Sequence, residues 1–311
     1  MEITSKLELD RDKLNQLEMH SFINLVTVVY SQLYYMQEAT QNEELFKKPI
    51  SEVRSFADSV RRKDDATLNE GVLEALIREI TNSLGQADGQ MEPDDYKEIR
   101  LVFDEIFDVM RIRFEELCRR RDFPNRWEEF SIEEFKSDFD KFFFAMEKNS
   151  RGRYRIIRNI ADQEEKDYFI NFDINSDLKD IILMPLLLKD VIRDLVANAR
   201  KYTPPGGRIS VGIRLRDDVL KIVIEDTGLG IPEDEIENAV SFGYRASNVK
   251  DTIRTMGGGF GLTKAYYVTK KLSGRFWLDS ELNKGTRITV SVPLPDELRV
   301  NFTDKKKAVH Q

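Results

Sequence analysis

Cysteine is almost missing from this chain: Cys118 is the only one among 311 residues. A lone thiol closes no internal disulfide, so no disulfide framework holds the fold, and a reducing cytoplasm is the expected setting. Cys118 lies in a charged helical stretch and reads as an ordinary thiol. Histidine is nearly as scarce. The chain has 2, His20 and His310, so any histidine chemistry rests on one of those positions. No run of 18 apolar residues occurs, which excludes an expected membrane-spanning helix. The start, Met1-Glu2-Ile3-Thr4-Ser5-Lys6, lacks the apolar stretch of a signal peptide. Basic residues are outnumbered, 48 against 56 acidic, for a net charge of −8, so nucleic acid is not an expected partner. Internal repeats, low-complexity tracts and metal-ligand clusters are also missing.

Apolar content is ample, at 41%, and the length suits about two domains of roughly 150 residues. The first half reads as all-α. Residues 5–40 contain no Gly or Pro, and Phe22, Leu25, Val26, Val29, Leu33 and Met36 recur at helical spacing. On that helix His20 points away from the apolar stripe, toward solvent. Residues 42–64 form a second helix ending in Arg61-Arg62-Lys63. Further helices are expected over 69–84, 93–121 and 132–148, with acidic or hydroxyl starts such as Glu92-Pro93-Asp94-Asp95. Phe135, Phe139, Phe142, Phe143 and Met146 make an aromatic stripe that reads as packing.

Arg151-Gly152-Arg153 marks a change of pattern. Strands are expected over 154–160, 168–174, 209–214, 219–224, 276–278 and 287–292, with helices over 181–201, 232–241 and 261–272. A mixed sheet with helices on one face is an α+β sandwich. Three signals stand in order within residues 194–262. A helix carries Asn198-Ala199-x-Lys201-Tyr202-Thr203 and stops at Pro204-Pro205-Gly206-Gly207. An alternating strand then ends in Asp226-x-Gly228-x-Gly230-Ile231-Pro232. Last, Gly257-x-Gly259-Phe260-Gly261-Leu262 opens a helix, whose free N–H groups suit phosphate. No G-x-x-x-x-G-K-[ST] occurs, and the glycine spacing does not fit G-x-G-x-x-G.

Together these runs resemble the Bergerat-fold (GHKL) ATPases, the family of gyrase, the heat-shock 90 chaperones, histidine kinases and mismatch-repair ATPases. Within it they are most similar to the bacterial two-component histidine kinases. The runs at Asn198, Asp226 and Gly257 look like the family's asparagine box and its first two glycine boxes. Phe242-Gly243-Tyr244-Arg245 looks like the phenylalanine box, and Gly285-Thr286 like the closing glycine box. The resemblance covers residues 151–295 and implies ATP and Mg²⁺. Asn198 would hold the metal through its amide oxygen. Asp226 would accept a hydrogen bond from the adenine amino group, with Gly228 and Gly230 shaping the turn and Thr286 behind it. Lys201 and Arg245 would meet phosphate, with Arg254 a further candidate, and Tyr202 would pack near the base or ribose. Gly257, Gly259 and Gly261 would offer backbone amides, and residues 243–256 would form a lid. Asp194 stands where hydrolysing members carry a water-activating acid; a solvated helix carboxylate is the plainer reading.

His20-Ser21-Phe22-Ile23-Asn24 resembles the phosphoacceptor box of the kinases. Asn24 matches, Ser21 replaces the usual acid, and Leu25 stands where proline is common. The implied activity is that of an ATP-dependent protein-histidine kinase, a phosphotransferase of two-component signal transduction. It would phosphorylate His20 and pass the phosphoryl group to an aspartate on a response-regulator receiver domain. A Bergerat ATPase, or an ATP-binding regulatory or phosphatase module without phosphohistidine, stays open beside it. The expected organisation is a helical hairpin over 1–65, extra helices over 66–150, the ATP-binding domain over 151–296 and a mobile tail over 297–311 that includes His310. A homodimer is expected, although the extra helices could instead complete the bundle within one chain.

Overall fold

The computed structural model describes residues 1–63, 69–122, 126–148, 150, 152–250 and 258–299. The chain divides into two units: Asp10–Pro124, and Met1–Leu9 together with Asn125–Gln311. The division therefore falls elsewhere than at 65/66 and 150/151.

The first unit is an all-α bundle of α1 (Arg11–Thr40), α2 (Glu43–Arg61), α3 (Glu70–Gln86) and α4 (Pro93–Asp122). Each helix starts where its sequence offers a cap or a proline. Asp10 accepts from the Lys13 N–H at 2.8 Å, Asn42 from Leu45 at 3.1 Å, and Asn69 from Gly71 at 2.8 Å. Pro93 opens α4, where a missing N–H costs nothing. α1 packs on α2 and α4, and α3 on the same two, so the four enclose one apolar core. Phe22, Val26, Val29, Leu33 and Met36 of the expected stripe lie in that core; Leu25 is half-buried against it. Thus α3 and α4 supply the partners that α1 and α2 need.

α1 begins at Arg11, not at residue 5. Residues 1–3 run instead along a sheet edge in the second unit, β7 (Arg275–Glu281). Glu2 bridges Trp277, and the Ile3 N–H donates to the Phe276 carbonyl at 2.9 Å. Ile3 is fully buried there. The exposed row of N–H and C=O groups on an edge strand is satisfied by any extended segment within reach.

The second unit is an α+β sandwich. Its six-stranded sheet runs β2 (Ile156–Ile157), β3 (Tyr168–Ser176), β5 (Arg208–Arg216), β6 (Val219–Asp226), β8 (Gly285–Pro293), β7. β2, β3 and β5 are parallel; the other pairs are antiparallel. α6 (Leu186–Tyr202) and α8 (Gly261–Lys271) pack on the sheet and on each other. Three expectations need correction. Residues 181–185 are not the start of a helix. They form β4 (Ile181–Pro185), paired antiparallel with β1 (Trp127–Ser131), and α6 starts only after Pro185. The expected helix over 232–241 is two 3-10 turns, Glu233–Glu235 and Glu237–Val240. Of the strand over 154–160 only β2 forms. α5 (Ile132–Lys148) lies with this unit, and its aromatic stripe stacks on Phe172 of β3, with Phe139 at 4.8 Å between ring centroids. Among the described residues no helix is long and apolar enough to cross a membrane. The greater part of the tail, with His310, lies outside the described residues.

Candidate functional site

A pocket of about 680 Å³, mouth included, opens between α6, the end of β6 and the loop that follows. That size is in the range of small-ligand sites. Asn198, Tyr202, Asp226, Gly230, Arg245 and Thr286 all line it. Ile224, Ile231, Val249, Leu262 and Ile288 give it an apolar wall. Residues spread over nearly a third of the sequence thus converge on one cavity.

Asp226 ends β6, opposite Thr286 of β8 in the ladder. Burial pushes its carboxyl up to about 6, against N–H bonds from Gly228 and Thr286 that favour the charged form. The Gly228 N–H reaches Oδ1 at 2.8 Å. A carboxylate at the base of an apolar slot is a strong acceptor for a ligand N–H. Gly230 turns the chain away from it with φ of 66°, and a Cβ there would lie 2.1 Å from the Glu281 carbonyl. Only glycine fits.

Asn198 faces the start of α8. A Cβ on Gly261 would come within 2.3 Å of its Nδ2, so α8 approaches α6 as closely as a glycine allows. This brings an amide side chain and a helix N-terminus together at the pocket, a pairing suited to an anion with a bound cation. The residues present therefore fit a nucleotide: an acceptor for the base, an apolar slot, and polar groups for phosphates and metal.

Other expected residues are placed less directly. The Lys201 ammonium lies over the Tyr202 ring, 4.8 Å from its centroid, outside the pocket lining. Gly228 and Gly259 shape the backbone without lining the cavity. Gly257 and Arg254 lie outside the described residues. Asp194 is not in the lining: its Oδ2 receives the Lys264 ammonium at 2.7 Å. His20 and Asn24 belong to the bundle. His20 is half-buried rather than fully outward, and its Nε2 lies 3.2 Å from Asn24 Nδ2, one turn along α1. Ser21 is buried and receives a hydrogen bond from the Arg113 guanidinium of α4; Glu116 lies 3.9 Å from Arg113.

Sequence reasoning missed several supports. Ser280 Oγ accepts from the Ile231 N–H at 2.9 Å and lies 2.9 Å from Thr286 Oγ1. Asn248 donates to the Gly230 carbonyl at 2.9 Å. Glu235 accepts from the Tyr244 hydroxyl at 2.7 Å and from the Ser247 N–H at 2.8 Å, tying down the short helix α7 (Ser247–Lys250). That bond pushes the Tyr244 hydroxyl up to about 12. The run of acids at 233–235 was the one signal for Glu235; the others had none.

The family model for histidine kinase-, DNA gyrase B-, and HSP90-like ATPases matches residues 184–296. The sensor histidine kinase WalK of Bacillus subtilis (strain 168) is 29% identical over 157 residues, 50% of this chain and 23% of WalK. The sensor histidine kinase RppB of Synechocystis is 34% identical over 105 residues, 33% of this chain and 23% of RppB. The adaptive-response sensory kinase SasA of Synechococcus sp. (strain JA-3-3Ab) is 35% identical over 123 residues, 39% of this chain and 32% of SasA. The similarity spans about a quarter to a third of these relatives' length. The pocket is built from residues within the stretch that matches the histidine kinase-, DNA gyrase B-, and HSP90-like ATPase model, and the relatives that share that stretch are sensory histidine kinases.

Proposed function

We propose that this chain is a cytoplasmic histidine kinase that binds ATP with Mg²⁺, takes the γ-phosphoryl group on His20 and passes it to an aspartate of a response-regulator receiver domain. The observation that carries the reading is the convergence of Asp226, Asn198 and the α8 N-terminus on one pocket. Asp226 would hold the adenine amino group and Tyr202 would lie beside the base. Lys201, Arg245 and the amides of Gly257, Gly259 and Gly261 would face the phosphates, while Asn198 would hold Mg²⁺, which neutralises phosphate charge. Phosphoryl transfer needs mainly such positioning. On the acceptor side, an Asn24 amide hydrogen directed at His20 Nε2 suits a ring whose proton sits on Nδ1. With Asn24 turned aside, that Nε2 lone pair would form the new bond to phosphorus as the bond to the bridging oxygen breaks, ADP leaves and the Nδ1 proton passes to solvent.

A second reading has its own observation. Ser21 stands where an acid would draw the ring proton, and it is already engaged by Arg113. This favours an ATP-binding hydrolase or regulatory module without phosphohistidine. Incubation with γ-labelled ATP separates the two. Acid-labile, alkali-stable label that disappears in His20→Gln supports the kinase; nucleotide binding without such label supports the second reading. Asp226→Asn should weaken ATP roughly 10- to 100-fold, the range of a charge-assisted bond, and equal affinity by calorimetry would sink the pocket assignment. The kinase reading includes a homodimer. Light scattering near twice 36.3 kDa supports it, and a mass near the monomer removes the homodimer from the reading.

A further inference from the structure

The contact between α6 and α8 holds a buried ionic group. Lys264 is 1% exposed, and its ammonium lies 2.5 Å from Asp190 Oδ2 and 2.7 Å from Asp194 Oδ2. Burying an ammonium and a carboxylate costs several kcal/mol per ion unless they are well paired, so apolar residues would hold two helices together at least as well. What an ionic group adds is a fixed distance and register between its partners.

The placement gives that register a purpose. Asp190, Asp194 and Asn198 follow at intervals of four along α6 and so share one stripe. Gly261 and Lys264 share a stripe on α8. The two stripes meet at two levels, Asn198 against Gly261 and, one turn away, Asp194 against Lys264. The Thr263 hydroxyl adds a bond to the Ser241 carbonyl at 2.9 Å.

We infer that Lys264, with Asp190 and Asp194, is a positioning residue for the phosphate end of the nucleotide site: it sets the approach of the α8 N-terminus to the Asn198 amide. Asp194 is then the partner of Lys264 rather than a water-activating base. The inference rests on the ATP reading above.

The test uses the full chain and titration calorimetry with Mg·ATP and, separately, with adenosine, which lacks phosphates. Lys264→Met and Asp194→Asn should each weaken Mg·ATP roughly 2- to 30-fold, the range for residues that act on a ligand without touching it. Their combination should be no weaker than the worse single variant, because both break one contact. Adenosine affinity should not change. Equal losses for adenosine and ATP would overturn the inference in favour of a general structural role. So would unchanged ATP affinity in both variants, and lost turnover with intact binding in Asp194→Asn alone would restore the base. A wild-type chain that binds neither ligand overturns the ATP reading itself. Should Lys264→Met fail to fold, Asp190→Leu/Asp194→Leu/Lys264→Met removes all three charges and is measured in its place, with the same expectation.

Discussion

In the four-helix unit, Phe22 meets Phe56 at 6.1 Å and Phe114 at 5.3 Å between ring centroids, in a core of aliphatic and aromatic side chains. Among its described residues the buried ionic groups are Arg113 and Glu116, 3.9 Å apart, and Arg113 bonds Ser21, the chain neighbour of His20. In the sheet unit, Lys189, Asp190, Arg193 and Lys264 are all buried on α6 and α8, the helices that frame the pocket. An apolar core is held by area, which is nondirectional and tolerates small slips. A buried charge demands a partner at a set distance. Arg113, bonded to Ser21, and Lys264, bonded to Asp190 and Asp194, thus place such groups where chemistry is expected, whereas Lys189 pairs with Asp138 of α5 and Asp167 with Arg155, outside the pocket lining.

The largest effect should come from breaking the apolar side of this contrast. Phe22→Ala should cost the bundle about 3–5 kcal/mol, seen in urea unfolding followed by helix content, while nucleotide affinity stays unchanged. A parallel loss of ATP binding would show that the pocket depends on the bundle core. Next comes Gly261→Ala, whose methyl would press on Asn198. It should weaken Mg·ATP by up to about 100-fold, because small displacements of positioned groups are costly, with little loss of folding stability.

The pH dependence of Asp226 is a smaller effect with two opposite signs. Its folded-state pKa, about 6, is raised above the ordinary 3.8, so between those values the folded chain binds more protons. Apo stability from this group is therefore present at low pH and lost as pH rises through 6. Asp226→Asn should relieve that cost and stabilise the apo chain above pH 6 by roughly 1 kcal/mol, discounted for partial solvent contact. ATP affinity should run the other way, weakening as pH falls through about 6 and the acceptor is protonated. The Asn variant should lack both steps in paired melting and calorimetry series. The smallest effect is local. Glu235→Gln should bring the Tyr244 hydroxyl down from about 12 toward its ordinary 10, read by ultraviolet titration against Tyr244→Phe.

Helix positions in the bundle were legible because their stripes and caps are local. Arg11–Thr40, Glu43–Arg61 and Pro93–Asp122 end within a few residues of the expected bounds, except at the start of α1. There, residues 5–10 share the Gly- and Pro-free composition of a helix, but Asp10 caps it and the preceding segment finds the β7 edge. The run Ile181-Ile182-Leu183-Met184-Pro185 is apolar enough for either element. Its partner β1 lies far back in sequence, and no local pattern announces it. The pocket was legible in its direct contacts, since Asn198, Asp226 and Gly230 carry chemistry recognisable by residue type. Its supports were not. Ser280, Asn248 and Lys264 are unremarkable until folding brings them to Thr286, Gly230 and Asp194.

The amino-acid sequence by itself determined the two classes of unit, several residues that line the pocket and the restriction of histidine chemistry to His20 or His310, because periodicity, glycine spacing and residue counts are properties of the chain. Only the tertiary structure decided that α3 and α4 close the bundle, that residues 1–3 extend a sheet, and that Asp194 faces an ammonium. Each of these depends on which distant segment fills an exposed edge, face or charge. That choice is made by burial and pairing over the whole molecule, and no window of sequence contains it.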